Sequence, residues 1–405
     1  MFRSEFFLDL PLADPVNGII YVVILVGAVG LIAWTRKIKP VLFAVAAAII
    51  AWLFLRHWDV PVYILIAGAI AIAALLRKPK TSTVIAGLLS LIALAGLVNL
   101  EYQTYPTVGS LDPRPVAQEI SPWQLPTYKG QGAATVHLNL QGEKSGFKAR
   151  EAIAYLPPAY FRGQRLPVMV LLHGNPGGPE QWFGSGGAAQ TADQFQAANG
   201  GVSPIVIAVD ATGSETGNPV CADSARAKVM TYLSQDVPAA IKKQLRVDED
   251  QSHWSLAGLS YGGTCSLQVA TNHPASYGSY MDFSGQAEPT LGNHSDTVTK
   301  LFEGDERAFQ AQNPAHLLQN KKYPNLAVAF ISGDKDKDAQ SAQNDLAEML
   351  RQAGAKSYVA TLPGGHSFGV WRPALRQTFA WAAARGGIQV ERDPFDGIKE
   401  SDVHA

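Results

Sequence analysis

Apolar residues fill four long runs near the start of the chain: Val16–Trp34, Val41–Leu55, Val60–Leu76 and Val84–Val98. A helix that crosses a hydrocarbon core of about 30 Å needs about 20 such residues. A soluble amphipathic helix would show a polar stripe, and these runs show almost none. No Asp, Glu, Lys or Arg interrupts any of them. The pattern therefore predicts a four-helix transmembrane region over residues 1–100. A cleavable leader is disfavoured, because the first run lacks a small-residue cleavage site and three more runs follow it.

The loops between the runs differ in charge. Arg36, Lys37 and Lys39 follow the first run, and Arg77, Lys78 and Lys80 follow the third. The loop after the second holds only Arg56, His57 and Asp59. Basic loops stay in the cytoplasm. Both ends of the region are then outside, in keeping with Asp9 and Asp14 near the N-terminus. Everything beyond residue 100 becomes extracytoplasmic, which makes this a multi-pass protein of the cell membrane.

Residues 101–128 are rich in Pro, Thr and Gln and lack periodicity, so they read as an extracytoplasmic linker. Residues 129–392 alternate strand and helix patterns. Strands are predicted at Thr135–Leu140, Ala149–Tyr155, Val168–Leu172, Ile205–Val209, Trp254–Ala257, Tyr280–Phe283, Leu326–Ile331 and Ser357–Thr361. Helices are predicted at Ala227–Gln244, Thr264–Asn272, Ala339–Ala353 and Pro373–Arg385. Continuous apolar strands such as Val168–Leu172 are expected where both faces of a sheet are covered. The alternation implies a mostly parallel sheet with helices on both faces, which binds ligands beyond the carboxyl ends of its strands. The tail, residues 393–405, is polar.

Composition adds little to this division. Charged residues make up 17% of the 405, and the formal net charge is −1. No global field or basic run favours a nucleic-acid partner.

The chemistry centres on Gly258-Leu259-Ser260-Tyr261-Gly262, followed by Gly263. A G-x-S-x-G pentapeptide between a strand and a helix is the pattern of a nucleophile elbow, with Ser260 as the nucleophile. A serine hydroxyl needs a base, and on this topology the order along the chain is Ser, then an acid, then His. His366 lies in a glycine loop just past the last predicted strand. The acid should follow the strand Leu326–Ile331, where Ser332-Gly333-Asp334-Lys335-Asp336 stands. Asp336 fits a Gly-x-x-Asp spacing, and Asp334 is the alternative. An oxyanion needs two backbone N–H donors. Tyr261, next to the nucleophile, would supply one. Asn175, in the loop His173-Gly174-Asn175-Pro176-Gly177-Gly178, would supply the other, since Pro176 has no N–H.

Taken together, Leu171-Leu172-His173-Gly174, Gly258-Leu259-Ser260-Tyr261-Gly262-Gly263, Asn272-His273-Pro274, Phe283-Ser284-Gly285, Gly333-Asp334-Lys335-Asp336 and Gly365-His366 resemble one family. It is the esterase branch of the α/β-hydrolases that includes esterase D, feruloyl esterases and actinobacterial mycolyltransferases. The resemblance runs from about Ala134 to Arg385. It implies an α/β-hydrolase domain with a Ser-His-Asp triad and no metal or organic cofactor. The substrate would be an ester, and membrane tethering points to a lipid or cell-envelope ester. Hydrolysis and acyl transfer use the same residues and stay open alternatives. A catalytically silent binding module is a further one, against which the intact triad argues.

The two cysteines, Cys221 and Cys265, both fall in the part expected outside, where disulfides persist. Cys265 opens the helix after Ser260, and Cys221 sits in the loop after the strand ending near Asp210. A bridge between them is expected, with two buried free thiols as the alternative. The segment Glu288–Asn313 interrupts the last part of the domain. In α/β-hydrolases such inserts often cover the site, an expectation by analogy.

Overall fold

The computed structural model describes residues 7–34, 38–55, 60–130 and 132–390. The chain folds as two compact units, Met1–Arg114 and Pro115–Ala405.

The first unit holds four helices: α1 (Pro15–Ala33), α2 (Lys39–Leu55), α3 (Val62–Leu75) and α4 (Thr81–Tyr102). Asp14 caps α1 by accepting a hydrogen bond from the Asn17 amide at 2.7 Å. The Thr83 hydroxyl accepts from the Lys80 amide at 2.9 Å and opens α4. α1 and α3 both pack against α4, whereas α2 packs chiefly on α3. Each apolar run is thus a helix, but among the described residues only α1 and α4 are long and apolar enough to cross a membrane. Of the four expected spans, two are candidate spans by length and composition. Pro61 precedes α3 and leaves it 14 residues, or about 21 Å at 1.5 Å per residue, short of the core. α2, with 17 residues, reaches about 25 Å. Of the residues used to orient the region, Arg36, Lys37, Arg56, His57 and Asp59 lie outside the described residues, as does the tail 393–405.

The expected linker is folded at both ends. α4 runs on through Glu101 and Tyr102, and the Leu12 and Val108 amides bond Pro106 and Leu10 carbonyls at 2.8 and 2.9 Å. Farther on, Gln118–Ile120 forms an edge strand, β1, parallel to β2 (Ala134–Leu138). Three residues reading Gln-Glu-Ile carry no periodicity, so only the neighbouring strand reveals this one.

The second unit is built on a nine-stranded sheet of order β1-β2-β3-β5-β4-β6-β7-β8-β9. Beyond β2 the strands are β3 (Ala152–Leu156), β4 (Val168–Leu172), β5 (Ile205–Val209), β6 (Ser255–Leu259), β7 (Ser279–Phe283), β8 (Ala327–Gly333) and β9 (Lys356–Leu362). β3 is antiparallel to both neighbours, and β5 through β9 are all parallel. All eight predicted strands are present. The α-helices of five residues or more are α5 (Ala188–Ala198), α6 (Val237–Gln244), α7 (Tyr261–Asn272), α8 (His294–Leu301), α9 (Glu306–Gln310), α10 (Pro314–Asn320), α11 (Lys337–Gln352) and α12 (Phe368–Arg385).

Side chains alternate across the sheet, so each strand feeds two cores. Val168, Val170 and Leu172 join Ile241 of α6, Leu267 of α7 and Leu350 of α11 on one face. Met169 and Leu171 join Ala192 of α5 and Phe379 of α12 on the other. α12 begins at Phe368, before the predicted start at Pro373. Phe368, Val370 and Trp371 bury against the sheet, and that packing carries the first turns although Pro373 cannot donate a helical hydrogen bond. α5 and α8 through α10 are not visible in the sequence pattern.

Candidate active site

Ser260 joins β6 to α7 with φ 52° and ψ −117°, a conformation rare for a residue with a Cβ. Two glycines make this turn possible. A Cβ on Gly258 would collide with the Gly262 carbonyl, and one on Gly262 with the carbonyls of Leu172 and His173. The helix start therefore packs directly on the end of β4. The Ser260 amide donates to the Phe283 carbonyl at 2.7 Å, which pins the turn to β7.

The carboxyl ends of β8 and β9 bring the other two residues in. The Ser260 hydroxyl lies 2.8 Å from His366 Nε2, and His366 Nδ1 lies 2.6 Å from Asp336 Oδ2. Nδ1–H donating to the carboxylate leaves Nε2 free to accept the serine proton. His366 is half exposed, whereas Asp336 is nearly buried. Burial pushes the Asp336 carboxyl up, but the His366 hydrogen bond and charge outweigh it and hold the group below its usual value. The Ser284 hydroxyl also favours the carboxylate, although its Oγ falls outside hydrogen-bond geometry.

Asp334, the alternative acid, points elsewhere. Its Oδ1 accepts from the Gly364 amide at 2.8 Å, while the Lys335 amide donates to the Gly364 carbonyl. Asp334 thus braces the loop that carries His366. The Trp371 ring meets the His366 ring edge to face at 5.0 Å and limits its rotation.

The loop His173–Gly178 lies beside the elbow, as the Gly262 contacts with Leu172 and His173 require. Tyr261, first residue of α7, has no intrahelical acceptor for its amide. Among the described residues, neither its N–H nor that of Asn175 donates to the protein. The Asn175 side chain donates to the Gly217 carbonyl at 3.0 Å, and Gln181 spans the loop from the Gly174 amide to the Pro176 carbonyl.

Behind this loop is an ionic cluster that the sequence pattern did not single out. Asp210, fully buried at the end of β5, accepts from the Arg150 amide and guanidinium at 2.8 Å each and from the Thr212 amide. His173 Nε2 lies 3.1 Å from the same carboxylate. Burial raises the Asp210 carboxyl, yet these partners more than offset it and hold it far below the usual range. Arg150 also donates to the Gly177 carbonyl at 2.8 Å, so the cluster fixes the glycine loop. An acid ending an apolar strand, as in Ile205-Val206-Ile207-Ala208-Val209-Asp210, is the only signal the sequence carries for it.

Cys221 and Cys265 form a disulfide with Cα atoms 5.4 Å apart. The Tyr261 hydroxyl adds to this tie, accepting from the Cys221 amide and donating to the Ala211 carbonyl, both at 3.2 Å. The segment 288–313 folds mainly into α8 and α9, and Asn218 and Asp223 bond to Thr290 and Gln312 at its ends. No group of three or more metal-ligating side chains occurs among the described residues.

Residues 148–382 match the family model described as "Putative esterase". The chain belongs to this esterase family. It is 49% identical over 340 residues to an uncharacterised protein of Corynebacterium glutamicum, covering 79% of this chain and 80% of that protein. It is 22% identical over 286 residues to an iron(III) salmochelin esterase of Escherichia coli, covering 69% of this chain and 63% of that one. Among solved structures, a ferulic acid esterase matches with a TM-score of 0.53 at 18% identity, over 64% of this chain and all (100%) of that one. An S-formylglutathione hydrolase from Agrobacterium tumefaciens matches with a TM-score of 0.54 at 16% identity, over 64% and 97%. These likenesses show the α/β-hydrolase fold for the second unit.

Proposed function

We propose that this esterase is a serine hydrolase held in a membrane, with its second unit on the extracytoplasmic side. The observation that carries the chemistry is the short path from Ser260 Oγ to His366 Nε2 to Asp336, with a proton route through each contact. Ser260 Oγ attacks an ester carbonyl while its proton passes to His366 Nε2. Asp336 holds the imidazole and stabilises its charged form. The oxyanion is met by the Asn175 and Tyr261 N–H groups, fixed beforehand by β4, α7 and the Arg150–Asp210 cluster. Collapse of the tetrahedral intermediate breaks the ester C–O bond, and His366 returns the proton to the departing alcohol. Water, activated by the same histidine, then frees the acid and restores Ser260. An acceptor alcohol in place of water would make the same cycle an acyl transfer. A membrane-held enzyme of this kind suits a lipid or envelope ester.

Three features support the membrane reading. α1 and α4 each have the length and apolarity to cross. Lys39, Lys78 and Lys80 are exposed at the ends that α1 and α4 would leave in the cytoplasm. The disulfide suits an oxidising compartment. With α1 entering and α4 leaving, the α2–α3 hairpin starts and ends on the basic side, whatever its depth.

The test is a fluorophosphonate probe applied to washed membranes. Wild type should label, and Ser260→Ala should not. Labelling that survives this substitution would overturn the assignment of the nucleophile.

A further inference from the structure

The first unit contains a groove of about 780 Å³ between α1, α2 and α3. Val45, Ile49 and Trp52 of α2 face Ile66 and Ile70 of α3 across it, and Ile32 of α1 closes one side. On α3 the lining recurs every three or four residues from Val62 to Ala73 and continues to Arg77, so one helical stripe runs the groove's whole length. Fifteen residues of helix correspond to about 22 Å. The groove exists because α2 packs chiefly on α3 and leaves its other flank uncovered.

Among the described residues, Arg77 is the single charged one lining the groove. It sits in a basic loop, yet it behaves unlike its neighbours. Lys78 and Lys80 are exposed, whereas Arg77 is only 8% exposed and turns back along α3, where Nη1 donates to the Ala73 carbonyl. A cation of this loop could reach water, as the two lysines do. Arg77 instead places its guanidinium at the end of an apolar slot. Ile38, just ahead of the first turn of α2, lines the same end and brings the positive pole of that helix close.

An apolar slot about as long as one acyl chain, ending in a guanidinium, fits an amphiphile with an anionic head. We infer that the groove binds an anionic phospholipid, one acyl chain lying between α2 and α3 and the phosphate meeting Arg77. The inference rests on the membrane reading above. That reading puts Arg77, Lys78 and Lys80 at the anionic cytoplasmic face, where a phospholipid is the amphiphile at hand. An ionisable side chain inside a membrane-facing cleft marks a ligand or partner site, and here the guanidinium geometry favours phosphate. The bound lipid fills the flank that α2 leaves open and so completes the packing of the short α2–α3 hairpin.

The experiment uses the full chain, purified in an uncharged detergent and stripped of lipid. Binding of phosphatidylglycerol and of phosphatidylcholine with the same chains is compared by native mass spectrometry. Wild type should prefer phosphatidylglycerol by about tenfold or more. Arg77→Gln should lose the preference, and Lys78→Gln should keep it. Ala69→Phe, which fills the slot, should weaken both lipids, and circular dichroism of each variant checks that the helices persist. Equal binding of the two lipids by wild type, or an unchanged preference in Arg77→Gln, overturns the site. Carbonate extraction separates this from the larger reading. A chain that leaves the membrane pellet overturns the embedding and the lipid site together, whereas a retained chain without lipid preference overturns the site alone.

Discussion

At the residue scale, the two aspartates after β8 do different work although they stand two positions apart. Asp336 meets His366 Nδ1, and Asp334 meets the Gly364 amide. Asp336→Asn keeps the shape but favours the wrong imidazole tautomer, so kcat on an aryl ester should fall by about 10³–10⁴ with KM nearly unchanged. Asp334→Asn keeps an acceptor for Gly364 and should cost far less. If the two variants lose activity equally, the assignment of the acid is wrong. The sequence narrowed the acid to this loop, because Gly-x-x-Asp after a buried strand is a local pattern. It left the alternative open, because the choice depends on which carboxylate faces a histidine thirty residues on. Arg150 and Asp210 were less legible still. They are sixty residues apart, and nothing in either neighbourhood announces the other.

At the element scale, α7 is the part on which the candidate site depends. Its first residues carry the elbow, and Cys265 ties it to the loop after β5. Closing a segment with a sequence separation of 44 removes chain entropy worth about 4 kcal/mol in the loop-closure model. Replacing both cysteines by serine, or adding reductant, should lower the thermal midpoint by several degrees and loosen the 211–221 loop against Tyr261. Thermal scans with thiols counted before and after reduction check this. A midpoint unmoved once both thiols are free would remove the disulfide from the account of stability. Apolar periodicity made most of the longer elements of this unit visible, since a strand buried on both faces and a helix with one buried stripe write themselves locally. β1, α5 and α8 through α10 stayed hidden. β1 is three residues held by pairing to β2, and α5 is rich in Ala and Gln, with a contrast too weak to read without the sheet beneath it.

At the scale of the whole molecule, buried charge sets how stability should follow pH. Asp282, fully buried at the end of β7, is pushed up to about 7 by burial, against the opposing pull of the Gly285 amide and Gln343. Its unfolded value is near 3.9, so between about 4 and 7 the folded state holds the extra proton. This contribution is complete below about pH 4 and is lost as pH rises through about 7. Asp336 and Asp210 act oppositely, since their lowered values stabilise above about pH 4 and that gain is lost in acid. Asp282→Asn should therefore raise stability at about pH 8 by up to a few kcal/mol and flatten the fall between about pH 4 and 7. Denaturant midpoints of the full chain across that range test it, and a wild-type curve already flat there would refute the buried-acid account. By itself the sequence determined what local patterns encode: four apolar helices, eight strands, the tight turn around Ser260, the glycine loop that carries His366 and the order of the candidate site residues along the chain. For the membrane region it marked four apolar runs, of which two form helices long enough to be candidate spans among the described residues, because composition marks an apolar run but not where Pro61 starts a helix late. Tertiary structure alone decided which aspartate meets His366, that Arg150 and Asp210 brace the glycine loop, and that Arg77 turns inward while its lysine neighbours face out. Those outcomes depend on which side chains share a buried space, and residues far apart in the chain meet there only after the fold has formed.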